Sequence, residues 1–232
     1  MPIQAVLFDL DDTLLHHSPS AQRALSRVFA ASLERGETTL ERLRHLNDSL
    51  YEVLFPAILS GEHTRASART ERFRRMLENG GGSATLEQGA VASEAYLSFY
   101  DLERTPVSGA VPLLRALLKQ VQVSILTNNP FKTAQDEALL EVSLEHWYVA
   151  QGAGMNKPNP LFFQHALERM RVEPENAVMV GDSWEKDVLP ARRLGIRAVW
   201  FNPAQLEVPR SDVRVLGGFE PLEQALNVIV GL

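Results

Sequence analysis

The feature that most constrains this chain is the β-branched and apolar run Ile3 to Leu7, which leads directly into Phe8-Asp9-Leu10-Asp11-Asp12-Thr13-Leu14. A β-branched and apolar run of this length predicts a buried strand. Asp9 then stands at the strand's C-terminal end, and Asp11, two residues on, returns to the same face of an extended chain. Two carboxylates on one side at the end of a first strand make a poor core. They are suited to holding a hard cation and aiming an oxygen nucleophile at phosphorus.

Further strands are expected at Val121–Leu126, His146–Ala150, Ala177–Val180 and Ala198–Phe201, with a last one at Val213–Leu216. Helical patterns separate most of them. Val111, Leu114, Leu117 and Leu118 recur at helical spacing, as do Phe162, Phe163, Ala166 and Leu167. Asn159-Pro160 supplies an N-cap followed by proline at the first helical position, and Gly195 is placed to end the helix carrying Arg192 and Leu194. Strands alternating with helices imply an α/β fold with an open parallel sheet covered on both faces.

Residues 16–105 break the alternation. Ala21, Leu25, Val28, Phe29 and Ser32 form one helical stripe, and Leu43, Leu46, Leu50, Val53 and Leu54 another. Leu86 to Tyr100 is also expected to be helical, and Gly80-Gly81-Gly82 reads as a loop between helices. The expected organisation is therefore a core of residues 1–15 and 106–232 with a helical module, 16–105, inserted after the first strand.

Composition narrows the function classes. A formal net charge of -6 argues against a general binder of nucleic-acid polymers. With no cysteine, disulfides, thiolate nucleophiles and cysteine metal sites are excluded. Residues 1–15 lack a basic segment and a cleavage site, and no apolar run approaches the ~18 residues of a membrane span. A soluble cytoplasmic protein is expected; the sequence leaves monomer and homodimer open.

Four elements fall at or just beyond strand ends, where a doubly wound sheet gathers its site. They are Asp9 with Asp11; Thr127 followed by Asn128-Asn129; Lys157 ahead of a helix; and Gly181-Asp182-Ser183, with Asp187 five residues beyond Asp182. Each suits a task in phosphoryl transfer, where catalysis is mostly positioning and charge stabilisation. One carboxylate can form an aspartyl-phosphate, and a second can protonate the leaving alkoxide and then take a proton from water. Thr127 offers a hydroxyl, and the residues after it offer N–H groups, to phosphoryl oxygens. Lys157 offers a compact positive charge. Mg²⁺ needs oxygen ligands, and Asp182 can complete its shell.

On these residues the chain resembles the haloacid dehalogenase superfamily, phosphatase branch. Its Asp-x-Asp-x-Thr motif is matched by Asp9 to Thr13, its second motif by Thr127, its lysine by Lys157, and its acidic fourth motif by Gly181-Asp182 with Asp187. The matches follow the family's order and span the core. The resemblance implies a Rossmann-like core with an inserted helical cap, Asp9 as nucleophile and Asp11 as general acid and base. It implies Thr127, Asn128 and Lys157 as phosphate binders. Mg²⁺ would be held by the carboxylates of Asp9 and Asp182 and the backbone carbonyl of Asp11, with Asp187 a ligand or close by. The family's dehalogenases lack the second aspartate of the first motif; Asp11 is present here. The expected function is Mg²⁺-dependent hydrolysis of a small phosphorylated metabolite. A nucleotidase, a phosphomutase and a non-catalytic binding protein are the alternatives. A phosphonate-cleaving relative would need a cap lysine, and residues 16–105 contain none.

Other features carry plainer readings. His16 and His17 are expected at the surface. Arg65, Arg69 and Arg72 fall on one helical face near Arg74 and Arg75, and a solvated face paired with Glu62 and Glu71 is favoured over a patch reading an anionic tail. Tyr51 and Phe55 are expected in the cap's core. Trp184 either walls the pocket or packs.

Overall fold

The structure, a computed structural model, describes residues 2–79, 83–129 and 132–231; the expected Gly80-Gly81-Gly82 loop lies outside them. The chain forms two compact units, Met1–His16 with Thr105–Leu232, and His17–Arg104.

The first unit holds six strands: β1 (Ala5–Phe8), β2 (Gln122–Thr127), β3 (His146–Val149), β4 (Ala177–Gly181), β5 (Arg197–Phe201) and β6 (Arg214–Leu216). They form one sheet in the order β3-β2-β1-β4-β5-β6, every pairing parallel. β1 therefore lies in the interior, flanked by β2 and β4. Its four residues are wholly buried and divide by parity. Val6 and Phe8 join one apolar cluster with Leu113, Leu114 and Leu117 of α6 (Ala110–Leu117) and Ile229 of α11 (Leu222–Val230). Ala5 and Leu7 join another with Phe162, Phe163 and Leu167 of α9 (Pro160–Met170). A two-residue period feeding two helical layers is what a continuously apolar strand buries on both faces.

Short helices complete this unit: α7 (Ala134–Leu140), α8 (Ala150–Ala153) and α10 (Leu189–Arg193). The expected punctuation is present. The Asn159 side chain accepts from the Leu161 N–H at 3.0 Å ahead of Pro160, and Gly195 follows α10 with φ +83°.

The second unit contains α1 (Ser18–Val28), α2 (Ala30–Glu34), α3 (Leu40–Leu59), α4 (Arg65–Glu78) and α5 (Leu86–Glu103). Threonine caps open three of them: Thr39, Thr64 and Thr85, the last in a reciprocal capping box with Gln88. The single stripe expected through residues 21–32 breaks at Phe29, whose backbone leaves helical geometry (φ -102°, ψ 19°). The Phe29 ring instead stacks on Phe73 at 6.3 Å, inside a core shared with Leu25, Leu43, Met76 and Tyr96. Val53 does not join the α3 stripe and is 64% exposed, one step of about 100° around the helix from buried Leu54. Tyr51 and Phe55 are half-buried against each other, ring centroids 5.4 Å apart, outside that core.

Chain exit and return around this insertion are adjacent. The His16 N–H donates to the Thr105 carbonyl and the Val107 N–H to the Leu14 carbonyl, both at 2.9 Å, and Leu15 bridges Pro106 in antiparallel sense. Among the described residues no helix is long and apolar enough to cross a membrane.

Candidate active site

Register brings the sequence-selected residues to one end of the sheet. Phe8 is opposite Ile125 on β2 and Val180 on β4, so the residues that follow each strand emerge together. The Asp9 N–H continues the ladder to the Val180 carbonyl at 2.9 Å, which fixes the start of the loop. Leu14 and Leu15 N–H groups both turn back to the Leu10 carbonyl, at 2.9 and 3.0 Å, and Asp12 takes a left-handed conformation with φ +62°. A short polar side chain tolerates that region better than most. The turn folds Thr13 back against Asp9.

Asp9 is buried and doubly held. Its Oδ1 accepts from Lys157 Nζ at 2.5 Å, and its Oδ2 accepts from Thr13 Oγ1 at 3.2 Å. Lys157 Nζ also donates to Asp187 Oδ1 at 2.6 Å. Thr13 Oγ1 accepts from the Asp182 N–H at 3.0 Å and lies 3.4 Å from Asp182 Oδ1, so its one proton is shared between two carboxylates. Asp11 sits outside this ion pair: its Oδ2 accepts from Asn129 Nδ2 at 2.8 Å.

Neighbouring side chains hold this arrangement. The Asn128 amide grips the backbone of Lys157 twice, donating to its carbonyl at 2.9 Å and accepting from its N–H at 2.7 Å. Buried Thr127 ends β2, and its Oγ1 accepts from the Asn129 N–H at 3.1 Å. After β4 the chain makes a wide π-type turn, Trp184–Val188, with the Val188 N–H reaching the Ser183 carbonyl. The Ser183 N–H donates to Asp187 Oδ2 at 3.1 Å. Trp184 packs edge-on to Trp200, whose Nε1 donates to the Asp182 carbonyl at 2.8 Å.

The electrostatics are unbalanced in favour of negative charge. Burial pushes the Asp9 carboxyl well above the usual carboxylate range; Lys157 opposes this, while Asp187 and Asp182 reinforce it. Asp182 is pushed up to about 7 by burial, then by Asp187 and Asp12. Burial alone would lower Lys157, but Asp187 and Asp9 outweigh it and hold the ammonium well above its ordinary value. Oxygens of Asp9, Asp182 and Asp187 lie within 4.8 Å of one another, with one lysine for three carboxylates. A hard divalent cation fits that all-oxygen, charge-deficient set.

Asp9, Thr127, Lys157, Asp182 and Asp187 are thus brought together, with Asp11 beside them. Asn128 is adjacent, its side chain engaged with Lys157. Sequence reasoning did not single out the side chains of Thr13 and Asn129. Thr13 was available within the first motif, whereas nothing local marks Asn129 as a partner of Asp11. Of the two flanking histidines, His16 is partly exposed, and His17 belongs to the helical unit, its Nδ1 2.7 Å from the Tyr100 hydroxyl.

The arginines of α4 divide into two sets. Arg74 and Arg75 pair with Glu71, and Arg74 also with Glu78, at 2.5–2.7 Å. Arg65, Arg69 and Arg72 have no such partner among the described residues, and neither Glu62 nor Glu71 pairs with them.

Comparison with known proteins agrees with this geometry. Residues 3–195 match the family described as haloacid dehalogenase-like hydrolase. A phosphoserine phosphatase of Thermus thermophilus is 30% identical, the match covering 86% of this chain and 89% of that protein. A glyceraldehyde 3-phosphate phosphatase of Methanopyrus kandleri is 29% identical, covering 90% and 89%. Among solved structures, the hydrolase YfnB of Bacillus subtilis, bound to magnesium, superposes with a TM-score of 0.73 at 23% identity, covering 98% of this chain and all of that one.

Proposed function

The chain belongs to the haloacid dehalogenase-like hydrolase family and is a phosphoric monoester hydrolase, and from that premise we propose that it cleaves a small phosphorylated metabolite through an aspartyl-phosphate at Asp9. The observation that carries this reading is the division of labour between the two aspartates of the first motif. Asp9 is tied to Lys157, while Asp11 is held apart by the neutral amide of Asn129. The ammonium favours the anionic form of Asp9 against the burial that raises its pKa, and Asp11, away from that ammonium, is left to exchange a proton.

In the first half-reaction an Asp9 oxygen bonds to phosphorus and the ester P–O bond breaks. Asp11 gives its proton to the departing alkoxide. In the second, Asp11 takes a proton from water, the water oxygen bonds to phosphorus, and the Asp9–phosphorus bond breaks to release phosphate. Lys157 and Thr127 stabilise charge on the phosphoryl oxygens. Because the Asn128 amide is engaged with Lys157, its share in phosphate binding falls to the main-chain N–H, and its side chain is a positioning group. Asp187 orients Lys157 and adds negative charge.

Mg²⁺ is the cation this site fits; Asp9 and Asp182 carboxylates and the Asp11 carbonyl would hold it, and it would offset repulsion between the nucleophile and an anionic substrate. We assign residues 17–104 the role of the family's cap. The relatives named above act on chemically different phosphate esters, so family membership does not name the substrate. The test is phosphate release from a panel of phosphorylated metabolites, with Mg²⁺ and with chelator, for wild type and Asp9→Asn. Metal-dependent release absent from a folded Asp9→Asn protein is expected; normal turnover by that variant would sink the nucleophile assignment.

A further inference from the structure

The arginine stripe of α4 is where the helical unit departs from ordinary surface chemistry. Arg65, Arg69 and Arg72 succeed one another at spacings of four and three, which places them on one face. Each is at least partly buried, and each lacks a carboxylate within ion-pair distance among the described residues. Two residues along the same helix, Arg74 and Arg75, are fully engaged with glutamates. The contrast excludes a shortage of acid on α4 as the cause.

The immediate surroundings are specific. Arg69 Nε donates to Ser93 Oγ at 2.9 Å, which pins the guanidinium to α5. The Arg72 guanidinium lies over the Tyr51 ring at 5.5 Å and over Phe73 at 5.7 Å, and its Nε is buried with no hydrogen-bond partner. Buried guanidinium nitrogens are normally satisfied, because an unmade bond to a charged donor is costly. Burial lowers the pKa of Arg69, and then Arg65 and Arg72 lower it further by like charge, while Glu94 and Tyr96 oppose them. Burial likewise lowers that of Arg72; Tyr96 and Tyr51 oppose it, Arg65 adds to it, and Asp48 opposes it. Three cations on one face with no ion-paired carboxylate, opposed only through space by Glu94 and Asp48, can receive an anion.

We propose that Arg65, Arg69 and Arg72 form an oxyanion site within the helical unit, one that binds a small carboxylate- or phosphate-bearing anion against the Tyr51 ring. The planar forks suit bidentate contact with two oxygens, and Tyr51 holds Arg72 in place through cation–π contact. The site rests on the helical unit alone and does not require the phosphatase reading of the other unit.

The test is calorimetric titration of the whole protein with malonate, for wild type, Arg72→Met, Arg69→Met and Arg65→Met. Arg65→Met, near the start of the helix, keeps the test alive if loss of a more buried arginine unfolds the unit, as circular dichroism would report. Malonate can also meet Lys157, so the quantity read is the binding lost on substituting the arginines. A loss of about tenfold or more in affinity in the folded variants is expected. Wild-type affinity in all folded variants, or no malonate binding by the wild type, overturns the site. A second arm names the anion's source using paired phosphate esters that differ by one carboxylate. If the wild-type preference for the carboxylated ester shrinks in the variants, the anion is carried by the substrate. If malonate alters turnover of the ester lacking that carboxylate in wild type alone, it is a separate effector. Because the titration needs no turnover, a failed phosphatase assay leaves this result readable.

Discussion

The carboxylate of Asp187 occupies the space that any side chain at Gly181 would need. A β-carbon there would collide with the Cγ and Oδ2 of Asp187, so glycine at the end of β4 lets the following turn fold back onto the strand. Gly181→Ala must therefore push Asp187 away from Lys157 and from the Ser183 N–H. We expect kcat to fall by about tenfold or more while the sheet persists, since a displacement of this kind costs positioning rather than fold. Steady-state kinetics together with circular dichroism check it. Wild-type turnover by Gly181→Ala would show that the placement of Asp187 is not needed.

Asn129 is the partner that distinguishes Asp11 from Asp9. Asn129→Ala leaves the Asp11 carboxylate without its 2.8 Å donor. Turnover is expected to drop by about 10- to 100-fold, because the proposed general acid loses the group that positions it. Steady-state kinetics check it, and wild-type turnover by a folded Asn129→Ala would remove Asn129 from the mechanism.

In the proposed Mg²⁺ site, Asp182 makes binding depend on pH. Its carboxyl titrates at about 7 when folded, above the ordinary value of 3.8. The folded protein therefore holds a proton that the unfolded chain has released between those limits, and the metal-free protein should lose stability as pH rises through that window. Asp182→Asn should flatten the slope. Mg²⁺ should raise the melting temperature of the wild type most at the upper end of the window, where Asp182 is ionised. Chelator should abolish phosphate release.

Within the helical unit, α4 and α5 approach at Gly89. A β-carbon there would come within 2.6 Å of the Thr70 carbonyl oxygen and 2.8 Å of Arg74 Cβ. Backbone cannot yield as a side chain can, so Gly89→Ala should destabilise this unit by about 1–3 kcal/mol, visible as a lowered unfolding midpoint.

Glu71 supplies acid sensitivity to the same pair of helices. Hydrogen bonds from Arg74 and then Arg75 hold its carboxyl at about 2, below the ordinary 4.5. The stabilisation is present above pH 4.5 and fades as pH falls towards 2. Glu71 is partly exposed, so Glu71→Gln should cost no more than about 1 kcal/mol near neutral pH, and the difference from wild type should close on acidification.

Much of this architecture was legible because parallel strands buried on both faces are written as continuous apolar runs. The strands begin or end within about two residues of where the sequence places them. Asp9, Thr127 and Asp182 were legible for a related reason: polar residues at strand ends are conspicuous against such runs; Lys157 stood out instead as a lysine just ahead of the Asn159-Pro160 helix start. Pairings across the chain were not. Asn128 looks from sequence like a phosphate contact, and only the fold shows its amide committed to Lys157, 29 residues away. The break at Phe29 follows from a tertiary contact with Phe73, which no local periodicity records. The α4 arginines share one composition, yet two of them found glutamates and three did not.

The hydrogen bonds that link His16 to Thr105 and Leu14 to Val107 also bear on how the protein is assembled. Seen from the sheet, all of residues 17–104 is a loop whose two ends are already stapled together. The sheet unit can therefore close its own topology whatever is threaded between those ends, and a short turn joining His16 to Thr105 would interrupt no strand. Such an entry point lets the inserted segment be exchanged wholesale while the aspartates keep their positions.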